Sequence, residues 1–304
     1  VVGNIVSVVD YTNTFQTNNL TISPNGSEKI GGANANATLN TKGQSVTFVY
    51  VDGTEGWKNV QDSTSNIIGN TFLLATGGTV TTSGNCKIHT FTGPGTFTVS
   101  AAAQCAANNV VSYLVVAGGG GGSASHGGGA GGGGFREYRA PTQAPLYTAS
   151  PLNGNPCGTA ITVTTAAFPI TVGGGGAAGP ESSGITGGQG STSTFSTVSS
   201  AGGGGGANYS ASGTSGGSGG GGKSPAGAGN TPPVTPPQGS NGGTGPGALA
   251  NYAVGGGGGA TEVGQNAPGG TASGRGGAGA TTSISGSPLS YSGGGGSGTY
   301  SGGT

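Results

Sequence analysis

The chain has 304 residues, 75 of them glycine, and its 8 Lys and Arg side chains balance its 8 Asp and Glu side chains. Zero net charge excludes the basic surface that nucleic acids or anionic membranes attract. No apolar run approaches the ~20 residues that a membrane span requires. We therefore expect neither a nucleic-acid partner nor membrane insertion.

Glycine divides the chain into unlike parts, because only 13 of the 75 glycines lie in residues 1–117. We predict a β-rich module over residues 1–76, a β-hairpin connector over 77–117 and a glycine-rich domain with polar loops over 118–304. The last part combines about one-third glycine with few charged side chains, a composition that normally indicates disorder. If this part is ordered, its order needs a physical explanation.

The first part has the alternation of β-strands. Leu20 and Ile22 share one face of "NNLTISP", and Val46, Phe48 and Tyr50 alternate along "QSVTFVYVDG". No segment combines a helical period with helix caps, so the predicted fold class is all-β without substantial helix. The single tryptophan, in "GTEGWKN", is expected to fill the core beside a turn.

The connector "KIHTFTGPGTFTV" suggests two strands closed into a hairpin by Gly93-Pro94-Gly95. Cysteines occur at 86, 105 and 157, and an odd number leaves at least one thiol unpaired within the chain. Cys86 and Cys105 could form a disulfide, or all three could be small buried thiols. The sequence does not decide between these two states.

The glycine-rich part repeats a unit in which a short β-like run is followed by a glycine block, as in "VVSYLVVAGGGGG" and "NYAVGGGGG". Fixing a glycine backbone costs more entropy than fixing other residues, and this part has few large side chains to bury. Backbone hydrogen bonding between polyglycine-II-like rods, with three residues per turn, could supply the missing stabilisation. We favour such rods over the alternative that the glycine blocks are wide turns between ordinary strands.

The polar loops between glycine blocks are the predicted recognition elements, since loops carry variation and binding. They are rich in Tyr, Ser, Thr, Asn and Gln, the residue types that favour sugar and antibody-like contacts. Each tyrosine could instead pack against the glycine layer. The candidate receptor-binding residues are Tyr138, Tyr147, Tyr209, Asn208, Gln238 and Asn241.

One segment, "GSGGGGKS" at 217–224, fits the phosphate-binding pattern G-x-x-x-x-G-K-[ST]. A working P-loop needs a helix directly after the pattern, and five prolines between 225 and 237 prevent one. We interpret the match as a chance product of dense glycine, and we expect no nucleotide or other cofactor.

The sequence shows no recognisable set of catalytic residues. After residue 62 the acids are Glu137, Glu181 and Glu262, each in a different loop, whereas glycoside hydrolysis needs two carboxyl groups facing one bond. His89 and His126 have no nearby aspartate in the sequence, and no spacing fits a metal site. We expect a protein without enzymatic activity and without a bound metal.

Three stretches together resemble the distal part of bacteriophage tail fibres, especially those of cyanophages: "NNLTISPNGSEKIGG", "LNTKGQSVTFVYVDGTEGWKNVQDS" and "KIHTFTGPGTFTV" with the glycine blocks up to "GGGAGGGGFRE". The resemblance implies a homotrimeric fibre in the virion tail, in contact with other tail proteins. It also implies a glycine-rich tip that touches a bacterial surface glycan or outer-membrane protein. Compared with that family, the chain looks clipped at both ends.

Another class of protein has the same composition. A secreted extracellular filament or matrix protein could assemble with itself and bind no receptor. A fibre is expected to be a defined trimer that adsorbs to cells, whereas a filament is expected to form open-ended polymers that do not.

Overall fold

The computed structural model describes residues 2–63, 72–103, 105–124, 126–144, 146–180, 185–246, 252–268 and 272–298. The chain divides into two compact units, Val1–Thr71 and Phe72–Thr304. Within the described residues every strand pairing is antiparallel, and helix is limited to single 3₁₀ turns at Ala106–Asn109 and Pro141–Gln143. In that part of the chain, none of the helices could cross a bilayer. The predicted all-β fold class is confirmed.

The first unit contains two small sheets. Their strands are β1 (Ile5–Val9), β2 (Leu20–Ile22), β3 (Ala37–Leu39), β4 (Ser45–Asp52) and β5 (Gly56–Ser63), ordered β1-β4-β5 in one sheet and β2-β3 in the other. Val46 and Phe48 of β4 are buried with Leu39, and Trp57 packs against them as predicted. The Trp57 indole N–H also donates to the Glu28 carboxylate at 3.0 Å, which satisfies the polar end of a half-buried ring.

A buried carboxylate closes one turn of this unit. The Asp10 side chain accepts backbone N–H bonds from Thr14, Phe15 and Gly43 at 2.9–3.0 Å. Burial on its own would raise the pKa of Asp10, but these backbone donors outweigh it and hold the pKa below its usual value. The carboxylate thereby ties the segment after β1 to the turn before β4.

The second unit contains the remaining strands: β6 (Leu74–Thr76), β7 (Thr79–Ser83), β8 (Cys86–Thr90), β9 (Gly95–Ala101), β10 (Val110–Val111), β11 (Tyr113–Val116), β12 (Phe135–Tyr138), β13 (Ile161–Thr162), β14 (Ala167–Thr171), β15 (Ser193–Phe195), β16 (Val198–Ser200), β17 (Ala280–Thr282) and β18 (Leu289–Tyr291). A five-stranded sheet has the order β16-β15-β14-β9-β6, and the other strands form pairs. Phe97, Phe195, Tyr113 and Tyr138 lie at the centre of its apolar core.

The predicted hairpin around Gly93-Pro94-Gly95 is wrong. β8 pairs with the preceding β7, whereas β9 pairs with β6 and β14. Gly84, whose φ of +55° suits a tight turn, closes β7 onto β8. Phe97 meanwhile buries its ring against Phe168 and Phe195, so long-range aromatic packing pulls β9 into the larger sheet.

The disulfide between Cys86 and Cys105 does not form. Cys86, Cys105 and Cys157 are all free thiols, with Cys86 half-buried in β8 and the other two exposed. Cys105 and Cys157 are therefore not the small buried thiols of the other alternative.

The glycine blocks form rods whose hydrogen bonds join segments distant in sequence. Gly118 donates its backbone N–H to Ser191 O at 3.0 Å, and Gly121 donates to Gly188 O at 2.8 Å. The donor advances by three residues while the acceptor retreats by three, which is the repeat of polyglycine II. The rod prediction is confirmed, and wide turns are excluded for these blocks.

Other rods run in the same direction as their neighbour. Gly203 donates to Gly118 O at 2.9 Å and Gly206 to Gly121 O at 3.0 Å, so both numbers rise together. One rod thus has parallel and antiparallel neighbours on different sides, as three residues per turn permit. We name these segments the glycine rods: 117–122, 127–134, 173–179, 187–191, 201–207, 213–217, 218–222, 227–230, 239–245, 254–260, 262–267, 274–279 and 292–298.

Glycine is required in the rods for space, not for an unusual backbone conformation. Among the described glycines, positive φ occurs at positions up to Gly84 and at Gly286, but not inside the rods. A Cβ atom placed on Gly120 would lie 2.1 Å from Gly204 O, and one on Gly121 would lie 1.9 Å from Ala177 O. Neighbouring backbones therefore approach more closely than any larger residue allows.

The rods give the second unit two distinct ends. At one end, called the strand end, rods continue directly from or into strands, as β11 does into 117–122 and as 127–134 does into β12. At the other end, called the loop end, the rods stop at residues 122, 179, 207, 222, 245, 267 and 298. With ~3.1 Å per residue, the rods hold the loop end about 20 Å from the strands.

Candidate functional site

Three aromatic rings from separate connectors meet at the loop end; we call them the aromatic cluster. The His126 ring stacks on Tyr252 with centroids 4.9 Å apart, and Tyr209 meets Tyr252 edge-on at 4.8 Å. His126 and Tyr209 are 6.0 Å apart, also edge-on. Tyr252 is 37% exposed, and the other two rings are half-buried, so the cluster presents aromatic surface to solvent.

The local backbone holds the cluster in position. Asn208 is fully buried at the end of rod 201–207, and its Oδ1 accepts from the Ser210 backbone N–H at 3.0 Å and from the Ser210 hydroxyl at 2.9 Å. This Asx turn orients Tyr209, which lies between the two bonded residues. His126 has a φ of +61°, the left-handed conformation, immediately before rod 127–134 begins.

Aromatic faces on a rigid frame suit recognition. Tyrosine and histidine rings offer large contact area with few rotatable bonds, and their polar atoms can hydrogen-bond at the edge of a contact. The three rings contact one another, so part of their side-chain freedom is already lost before a ligand binds. The cluster can therefore bind a ligand with an apolar face and a polar rim, such as a sugar ring.

Three predicted receptor-binding residues are buried. Tyr138 of β12 is 6% exposed and stacks on Tyr113 in the core, with ring centroids 6.0 Å apart. Asn208 and Gln238 are 0% and 1% exposed. The expected exposure of these residues is wrong, because β12 pairs with β11 and the two amides complete hydrogen bonds within the bundle. Their side chains offer no surface to a partner.

The other predicted residues are accessible but lie apart. Tyr147 is half-buried near the strand end, where the Arg139 guanidinium lies 5.9 Å from its ring centre and burial raises its pKa. Asn241 is exposed on rod 239–245 and accepts the Gly229 N–H at 2.8 Å. Tyr209 alone of the six predicted residues belongs to the aromatic cluster.

Sequence reasoning missed His126 and Tyr252 as cluster members. His126 stands directly before a glycine block in "SASHGGG", and Tyr252 stands just before another in "NYAVGGGGG". Tyr209 lies three residues after the last glycine of a block in "GGGGGANYS". The shared position, an aromatic or histidine ring within three residues of a glycine block, was the available signal.

The glycine amides of the phosphate-binding pattern at 217–224 are already used within the bundle. Gly219, Gly220, Gly221 and Gly222 donate their N–H groups to carbonyls of neighbouring rods at 2.8–3.2 Å. A P-loop needs these donors turned toward the phosphates. Residues 217 to 222 belong to two successive rods, which favours the interpretation of the pattern as a chance match.

The two described acids of the glycine-rich part have separate structural partners. The buried Glu137 carboxylate accepts from the Thr282 hydroxyl at 2.6 Å and from the Ser150 N–H at 2.8 Å. Glu262 pairs with Arg275 at 2.5 Å, which lowers the pKa of Glu262. Glu181 lies outside the described residues.

Comparison with known families gives one match. A family model described as a glycine-rich domain matches residues 90–304, which covers the rods, their connectors and most strands of the second unit. Neither the curated proteins nor the solved structures gave a match. Because this model matches residues 90–304, more than half of the chain, the chain belongs to the glycine-rich domain family.

Proposed function

We propose that the chain is the distal part of a phage tail fibre and that its loop end contacts the bacterial surface. The observation that carries this proposal is the convergence of His126, Tyr209 and Tyr252 from separate connectors. They meet at the end of the rods that lies away from the strands. A rigid bundle can hold rings from several loops together in one receptor-binding surface. The ligand would be a surface glycan or an outer-membrane protein.

The tail-fibre resemblance over the first unit and over the start of the glycine-rich part supports the same proposal. It adds a virion-tail location and contacts with other tail proteins. Near-zero charge fits a tip that binds through rings and hydroxyls, since no strong field is available for attracting a charged receptor. The role is one of binding, without catalysis.

The proposal includes a homotrimer. Ile5, Val6 and Val9 of β1 are 46–66% exposed, and Val60 of β5 is 63% exposed. β1 and β5 are the two edges of the sheet in the first unit. Exposed apolar side chains on edge strands favour association, and three chains around an axis would cover both strands.

Replacing Tyr252 with alanine is expected to reduce adsorption of the purified chain to host cells at least about tenfold, because exposed tyrosines are common binding hot spots. Tyr11→Ala is the matched control, since Tyr11 is 90% exposed but lies in the first unit. Adsorption is measured by sedimentation of cells with fluorescently labelled protein. Equal adsorption by wild type and Tyr252→Ala would count against the loop end as the contact surface.

The exposed apolar strand β1 also favours the second candidate, a self-assembling extracellular filament. Light scattering separates the two candidates. A fibre of this kind is expected at about three times the chain mass of 28.2 kDa. Polymers without a fixed size that adsorb to no cells would favour the filament.

A further inference from the structure

A groove at the strand end lies far from the aromatic cluster and has a different chemistry. Its volume is about 460 Å³, within the range of small-molecule sites. It is open to solvent between β16 and the connector that precedes rod 239–245. The residues that matter for its chemistry are Arg136, Thr159, Thr197, Ser199, Val234 and Thr235.

Arg136 lies in this groove as a cation that none of the described residues pairs with. On β12, Phe135 and Glu137 point to one face, where Phe135 is in a small core and Glu137 binds Thr282. Arg136 points to the opposite face and lines the groove with only 8% of its surface exposed. Within the described part of the chain, its guanidinium makes neither a hydrogen bond nor an ion pair.

A charge in that setting has a physical cost. A cation largely removed from water is unfavourable unless an anion or hydrogen-bond acceptor compensates it. Glu137, the neighbouring acid, faces away and is already satisfied. Strand pairing with Val115 holds Arg136 in position. The groove in front of its guanidinium therefore has space for an anion.

We propose that this groove binds a carboxylate-bearing saccharide. The Arg136 guanidinium would pair with the sugar carboxylate, a geometry that arginine forms with two parallel hydrogen bonds. The hydroxyls of Thr197, Ser199 and Thr235 would exchange hydrogen bonds with sugar hydroxyls, and Val234 would pack against the ring. The inference does not rest on the proposed role of the loop end.

Several features favour an acidic sugar over a simple phosphate. Phosphate sites usually combine several cations or free backbone N–H groups, whereas this groove contains a single cation. The other polar side chains are mainly hydroxyls, spread along a space much larger than one anion. An open groove also admits a longer chain of sugars, in which one acidic unit lies at Arg136.

The test uses the full chain and isothermal titration calorimetry with trigalacturonic acid, maltotriose and inorganic phosphate as separate probes. We expect binding of trigalacturonic acid and no binding of neutral maltotriose. Arg136→Gln is expected to weaken trigalacturonate binding at least about tenfold, since a charge-assisted contact is lost. Arg136→Lys should recover part of it, because the charge returns without the planar fork.

Two further variants keep the test independent of folding effects at Arg136. Thr235→Tyr fills the groove from an exposed position on the adjacent connector and is expected to block binding. Arg275→Gln removes an arginine that is already paired with Glu262 and is expected to leave binding unchanged. Absence of trigalacturonate binding, or binding of phosphate alone, would overturn the proposal. So would binding that survives both Arg136→Gln and Thr235→Tyr.

Discussion

Replacing Gly120 with alanine is expected to destabilise the second unit by about 1–3 kcal/mol or more, as overpacking does in close-packed interiors. The added Cβ would lie 2.1 Å from Gly204 O. That oxygen already accepts the Gly131 N–H at 2.8 Å, so it cannot move without weakening a rod contact. The measurement is the midpoint of thermal or denaturant unfolding, followed by circular dichroism.

Gly122→Ala is the matched control in the same rod. A Cβ atom on Gly122 would have no atom within 4 Å, and its φ is not positive. Alanine there reduces the entropy of the unfolded chain, so a small stabilisation of about 0.4–1 kcal/mol is expected. If both variants changed stability equally, glycine in the rods would not be needed for close approach.

Replacing Gln238 with alanine is the second large expected effect, a loss of about 2–4 kcal/mol. Gln238 is 1% exposed, its Oε1 accepts from the Ala201 N–H at 2.8 Å, and its Nε2 donates to Pro232 O at 2.7 Å. The side-chain amide therefore acts as an extra acceptor for Ala201, the first residue of rod 201–207. Its removal leaves the Ala201 N–H and the Pro232 carbonyl, both in part-buried bonds, without their side-chain partner, and it opens a cavity where the buried amide was.

The series of acceptors for the backbone N–H groups of rod 201–207 explains why a glutamine is needed at position 238. Ala207 and Gly204 donate to Gly221 and Ser218 of the adjacent rod, which begins at residue 218. Ala201, three residues before Gly204, lies beyond the first residue of that rod, so the rod has no carbonyl for its N–H. The amide of Gln238 supplies the next acceptor in the series.

The control for Gln238 is Gln189→Ala. Gln189 is exposed, although its Nε2 also donates to a carbonyl, that of Ser215, at 3.0 Å. Water can replace that bond, so a change within about 0.5 kcal/mol is expected. A Gln238→Ala variant as stable as Gln189→Ala would show that the buried amide does not complete the rod.

Local alternation made part of the fold predictable from sequence. Val46 and Phe48 are buried on one face of β4, as their spacing indicated, because one face of that sheet covers a small core. The pairing of β9 with β6 and β14, in place of β8, was not predictable in the same way. Its outcome depends on where Phe97 finds aromatic partners, and Phe168 and Phe195 are distant in sequence.

The rods were predictable as a class but not in their arrangement. A run of glycine has no side-chain pattern, so nothing in the sequence distinguishes Gly120, which needs a bare Cα, from Gly122, which does not. That distinction arises only when the neighbouring rods are in place. The boundaries proposed at residues 76 and 117 stay predictions, since they follow composition and not contacts.

The candidate site was predictable only in part, for the same reason. Tyr209 was expected in a loop, but its partners His126 and Tyr252 come from connectors 83 and 43 residues away in the chain. Tyr138 had the same residue type and a nearby loop, yet strand pairing buries it. Which tyrosine faces solvent depends on the direction of each rod.

Amide hydrogen exchange, followed by NMR on the intact protein, tests most directly whether backbone bonds between distant segments hold the glycine rods. Gly118, Gly120 and Gly121 donate to Ser191, Gly131 and Gly188, and their exchange is expected to be slowed on the order of 10³-fold or more. Exchange of these three amides at the rate of an unstructured glycine peptide would contradict the rods and, with them, the fixed loop end.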